Sequence, residues 1–175
     1  MEYQRKLVSQ LRARLQEPRK SIQIVAGPRQ TGKITAVLQT LSYVQVLQHF
    51  VSADDPTLIS QTWLKNEWEQ ACQLCQRHVD GAVFVVDEIQ RIPGWSEVVK
   101  LLWDEDTRLK IPLKVALTGS SSLLMQKGMH ESLMGRFEVL YCQHWNLQEC
   151  RGAFGYNLEE IIMLRRVSWC CGMAA

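Results

Sequence analysis

In "GPRQTGKIT", residues 27–35, residue types and spacing imply chemistry most directly. Gly27, Gly32 and Lys33 satisfy the pattern G-x-x-x-x-G-K-[ST] up to its last position. There Ile34 replaces the Ser or Thr whose hydroxyl meets magnesium. The two glycines permit backbone angles that a Cβ would penalise. The main chain of Pro28, Arg29, Gln30, Thr31, Gly32 and Lys33 can then curl around one phosphate and turn its N–H groups inward. Lys33 would bridge the β- and γ-phosphates, and a helix opening there adds its partial positive charge. Thr35 lies about 100° further round that helix and does not simply replace the missing hydroxyl. Both Ile34 and Thr35 nonetheless belong to the nucleotide-contacting stretch.

A second constellation is "VFVVDE", an apolar run ending in Asp87 and Glu88. Asp87 at such a strand end would hold magnesium through its water shell, and Glu88 would orient or deprotonate an attacking water. Alone, the pair is equally an acidic strand end at the surface; beside a phosphate loop it reads as the second half of a nucleotide site. The third piece is "LTGSSS". Thr118 or, preferably, Ser120 could hydrogen-bond a γ-phosphate or the attacking water, while Ser120 to Ser122 could also cap a helix. Cys72, Cys75 and His78 share a helical face, but zinc needs four ligands and no second pair answers them.

These groups need elements to carry them. "SIQIVAG" (21–27) reads as a buried strand running into the loop, and 33–45 as a helix. Residues 49–56 suggest a strand, 58–78 a helix, and the continuous apolar run 81–88 a strand buried on both faces. Further on, 96–108 is helical, 112–122 a strand, Leu123–Gln126 a short helix and 136–142 a fifth strand. Strands alternating with helices imply right-handed crossovers and a parallel sheet covered on both faces.

The chain has 175 residues, 46% apolar and 22% charged, with a formal net charge of +2. That is globular, and the balance does not itself demand nucleic acid or a membrane. Residues 1–20 are strongly basic, which fits the solvated face of a helix whose Leu7, Leu11 and Leu15 face the core; a nucleic-acid patch is the sharper alternative. No apolar run reaches the roughly 18 residues of a membrane span, and no signal peptide is legible. A cytoplasmic location follows, with the six cysteines as thiols and nothing catalytic read into Cys170 and Cys171.

Taken in order, "AGPRQTGKIT", "SADDP", "VVDEIQRIPGWSEVVK", "LTGSSSLLM" and "ESLMGRFEV" resemble prokaryotic ATP-binding proteins of the AAA superfamily that commonly carry a second domain. The resemblance covers residues 1–157. It implies a P-loop NTPase fold, a three-layer α/β/α sandwich around a five-stranded, mainly parallel sheet, with ATP and Mg2+ as ligands and ATP hydrolysis as the activity. It also makes Arg136 in "MGRF" a candidate for phosphate, in its own subunit or a neighbour's, against a surface ion pair with Glu131 or Glu138.

This chain departs from that pattern twice. Ile34 offers magnesium no oxygen, which should weaken hydrolysis more than binding. Residues 158–175 form an atypical tail where a helical lid and a C-terminal domain are expected, so the copy reads as truncated. An ATPase with slow or absent turnover is the leading reading. The alternative is a catalytically silent, nucleotide-dependent module for a protein or DNA partner, with homo-oligomers open and no base-reading motif legible.

Overall fold

The computed structural model describes residues 3–55, 60–120, 133–160 and 162–163. In chain order the elements are α1 (Lys6–Gln16), β1 (Ile22–Ala26), α2 (Lys33–Ser42), β2 (Leu47–Ser52), α3 (Gln61–Cys75) and β3 (Ala82–Asp87). A 3-10 turn (Ile89–Arg91), α4 (Trp95–Leu109), β4 (Leu113–Gly119), β5 (Phe137–Tyr141) and α5 (Leu147–Phe154) complete them. The short helix read at Leu123–Gln126, the caps at Ser121 and Ser122, Glu131 and the end of the tail with Cys170 and Cys171 lie outside the described residues.

The five strands form one sheet in the order β2-β3-β4-β1-β5, and every neighbouring pair is parallel. The connection from β1 to β2 passes over two strands, and β2 to β3 to β4 then steps back. Right-handed crossovers in opposite directions put their helices on opposite faces. The core divides accordingly. Val83, Val85, Val25 and Ala116 pack under α1 and α2, with Leu7, Leu11, Leu15, Val37 and Leu41. Phe84, Val86, Ile24 and Leu117 point the other way, toward Leu64 and Trp68 of α3 and Val99 and Trp103 of α4. Alternation along central strands thus builds a three-layer α/β/α sandwich. β2, at the sheet margin, keeps Phe50 and Leu47 partly exposed.

All five strands end on the same side, and the strand order reverses at β1, which lies between β4 and β5. A ligand crevice belongs at that point in an open α/β sheet.

The N-terminal cations are largely occupied within the fold. Arg14 bonds the Gln23 side chain and pairs with Glu138 at 3.1 Å. Arg19 stacks on Trp103, 3.5 Å from the ring centroid, and donates to the carbonyls of Leu113 and Trp103. Arg5 is buried.

Between α3 and α4 lies one buried acid. Asp106 is 4% exposed and accepts from Trp68 Nε1 at 2.8 Å and from Cys72 Sγ at 3.5 Å. Burial pushes its carboxyl above the ordinary range, against the pull of those two donors. A raised folded value makes its contribution fullest below the usual carboxylate range and lost as pH rises through the raised one. Asp106→Asn keeps an acceptor for Trp68 and removes the charge. Thermal melts should show the variant at least as stable as the parent near pH 8 and flatter as pH rises above the ordinary carboxylate range. A variant markedly less stable near pH 8 would mean the buried charge itself is favourable.

Candidate functional site

The crevice forms because β1 ends against two neighbours. Gly27 N–H donates to Gly119 of β4, and Cys142 N–H, just past β5, donates to Ala26. A Cβ on Gly27 would stand 2.0 Å from the Cys142 carbonyl oxygen. Gly27 is therefore required for close packing between strand ends, and the positive φ expected of it is absent. The left-handed positions are Gly32 (φ 80°) and Gln30 (φ 60°), the latter a strained choice for a residue with a side chain.

The loop is braced from within and from behind. Lys33 is buried, and its Nζ donates to the carbonyls of Gly27 (3.0 Å) and Pro28 (2.6 Å). An ammonium has three donors, so one remains for an anion. Thr31 Oγ1 also donates to the Pro28 carbonyl, at 2.9 Å. Pro28 has no N–H, so it contributes this acceptor to the loop, and the amide cradle expected of residues 28–33 begins at Arg29. Behind the loop, Arg5 donates to the Thr31 carbonyl at 2.7 Å. The same guanidinium reaches Cys142 Sγ, the Gln143 carbonyl and both oxygens of Glu149, and lies over Trp145.

Opposite Lys33 a cleft of about 440 Å³ opens, lined by residues 29–35 together with Asp54, Asp87, Glu88 and Arg91. The two halves of the sequence reading thus meet in one cavity. Asp87 ends β3 with its carboxylate accepting from the hydroxyl of Thr118 on β4. Thr118 is fully buried, so it orients the acid from beneath and faces no ligand itself. Glu88 adopts φ 52° and accepts from Gln90 Nε2. Ser120 follows Gly119 at the end of β4 without lining the cleft.

Magnesium fits these residues only in part. Asp87 is aimed, but carbon replaces oxygen at Ile34, and Thr35 lies at the boundary with a neighbouring cleft. Among the described residues no group of three His, Cys, Asp or Glu could hold a metal ion unaided.

Arg136 is not brought here. Its carbonyl accepts from Ile22 N–H at the start of β1, about five residues or roughly 17 Å along the strand from the loop. Its guanidinium grips Asp104 of α4 in a bidentate pair at 2.6 and 2.9 Å, and holds that carboxyl below its usual range. Within its own chain Arg136 faces away from the cleft, because a parallel sheet puts the residue before β5 at the opposite end from the residue after β1.

The neighbouring cleft was not legible. It measures about 260 Å³ and is lined by Tyr3, Arg5, Gly32, Thr35, Ala36, Gln39, Trp145, Ala153 and Phe154. The rings of Tyr3, Trp145 and Phe154 stand 6.0 and 5.0 Å apart in succession. The two clefts share Gly32 and Thr35. α5, which contributes Ala153 and Phe154, opens on a capping box in which Asn146 and Glu149 each bond the other's backbone. Its Asn-x-x-Glu spacing was the available signal.

Comparison with known proteins agrees with this architecture. Residues 19–150 match the family described as an AAA domain. An uncharacterized protein of Haemophilus influenzae is 23% identical over 124 residues, covering 66% of this chain and 29% of that relative. The chain therefore spans under a third of the curated relative it matches. No helix among the described residues is long and apolar enough to cross a membrane.

Proposed function

The chain belongs to the AAA domain family, a family of ATPase-like nucleotide-binding domains, and from that footing we propose that it binds ATP across the two joined clefts and hydrolyses it slowly. The observation that carries this reading is the meeting of Lys33, the left-handed turn at Gly32, Asp87 and Glu88 around one cavity. The N–H groups from Arg29 onward and the start of α2 hold the phosphates, and Lys33 neutralises them. Asp87, held by Thr118, would hold magnesium, which would supply charge neutralisation at the phosphates. Glu88 orients the attacking water and takes its proton. Ser120, at the end of β4 but outside the cleft lining, would reach phosphate or water only if it moved inward. Arg136 could serve only a neighbouring copy.

The aromatic cleft suits the base. Tyr3, Trp145 and Phe154 offer ring faces to a purine, and the shared Gly32 and Thr35 connect that stack to the phosphates. Ile34 removes one oxygen ligand, so magnesium adds less to affinity here than a complete loop would allow.

Calorimetric titration with ATP and ADP, with and without magnesium, tests binding; no uptake of any adenine nucleotide defeats the proposal. Phosphate release under excess ATP and magnesium should exceed background and fall to it in Glu88→Gln. Background release from both proteins, with binding intact, would support the silent interaction module that Ile34 favours. A nucleic-acid version has less behind it, since Arg5, Arg14 and Arg19 are already engaged.

A further inference from the structure

One pair in the phosphate cleft has no part in the assignments above. Arg91 ends the 3-10 turn that follows Glu88, and its Nη2 lies 3.0 Å from Asp54 Oδ1, with Nη1 3.3 Å from the Asp54 carbonyl. Both residues line the cleft beside Lys33 and Asp87. The main chain here is fixed: Ile89 and Ile92 are buried on either side, and the amides of Arg91 and Ile92 bond back to Glu88 and Ile89. The side chains lie at the surface, with Asp54 also accepting from Ser52 Oγ at 3.2 Å. Arg91 is 40% exposed and Asp54 59%.

We infer that Arg91 reads the terminal phosphate of a bound nucleoside triphosphate, exchanging Asp54 for phosphate oxygens, with Asp54 as the competitor that holds it otherwise. This rests on the nucleotide reading given above. An ion pair this exposed adds little, whereas a guanidinium on phosphate forms parallel charge-assisted hydrogen bonds. Exchange is therefore downhill once phosphate arrives. Charge gives a second reason. Arg29, Lys33 and Arg91 are balanced in the cleft by Asp54, Asp87 and Glu88. Swinging Arg91 away from Asp54 adds no charge to the cleft; it brings a cation already there onto the phosphate, where Ile34 weakens the metal, and leaves Asp54, 59% exposed, to solvent. A diphosphate leaves the exchange without its partner, so Arg91 separates triphosphate from diphosphate.

The test is calorimetry with a non-hydrolysable triphosphate analogue and with ADP, on the parent, Arg91→Ala and Asp54→Asn. Arg91→Ala should lose roughly tenfold in triphosphate affinity and no more than about twofold in ADP affinity, as expected for a lost charge-assisted pair. Asp54→Asn should shift the ratio the other way. Both variants should melt within about 2 °C of the parent, because an exposed pair adds little stability. Equal losses for both ligands in Arg91→Ala, or a lower triphosphate preference in Asp54→Asn, would overturn the inference. A parent that binds neither ligand defeats the nucleotide reading itself, before any variant is compared.

Discussion

Arg5→Ala should lower unfolding free energy by about 3–5 kcal/mol, the range for removing one partner of a buried ion pair. Arg5 and Glu149 are 7% and 13% exposed, and their contact is bidentate at 2.9 and 3.1 Å. Truncation leaves the Glu149 carboxylate short of its counter-ion and the Thr31 and Gln143 carbonyls short of a donor. Burial pushes the Glu149 carboxyl up, but Arg5 and the Asn146 amide more than offset it, and its net value is lowered. A lowered folded value means the parent's gain is present above the ordinary carboxylate range and lost as pH falls through the lowered one. The deficit of Arg5→Ala should therefore shrink in acid. Denaturant unfolding near pH 7 and near pH 3 measures both effects. The double change Arg5→Met with Glu149→Leu should recover much of the loss, since no uncompensated charge then remains buried. A single variant as stable as the parent would show that the guanidinium is not what holds this corner.

Ile34→Thr should raise magnesium-dependent phosphate release by at least about tenfold, which requires only about 1.4 kcal/mol of extra transition-state stabilisation from an ordered metal. Ile34 is the second residue of α2 and lines the same cleft as Lys33 and Asp87. A threonine there restores the oxygen without changing the β-branched shape that the helix already accepts. Nucleotide affinity in EDTA should stay within about twofold, because Lys33 and the loop amides act without the metal. Equal release rates, with the parent already fast, would mean that the metal is held in another way.

Why some of this was readable follows from particular residues. The continuous run at 81–88 announced β3 because a central parallel strand is buried on both faces, and Ala82–Val86 are. The loop and the acidic pair were legible because their chemistry fixes residue types at short spacing. Arg136 could not be placed from sequence because "MGRF" has no direction until β5 takes its place; only the sheet shows which end it occupies. Asp54 and Arg91 lay within recognised segments but meet only through the β2–β3 pairing, 37 residues apart. The aromatic cleft joins Tyr3 to Trp145 and Phe154, a separation no local pattern encodes. Cations at residues 1–20 read as a solvent face or a binding patch, while Arg5 braces the phosphate loop and Arg19 the start of β4.

β1 carries the phosphate loop yet is flanked by the last two strands, and Gly27 abuts Cys142. A nascent chain leaving the ribosome therefore owns its signature loop long before the loop has its shape. Competence to take up ligand waits until residues near 142 have been synthesised and β5 has slotted beside β1. If the chain binds nucleotide as proposed, that binding stabilises only states in which β5 already stands beside β1.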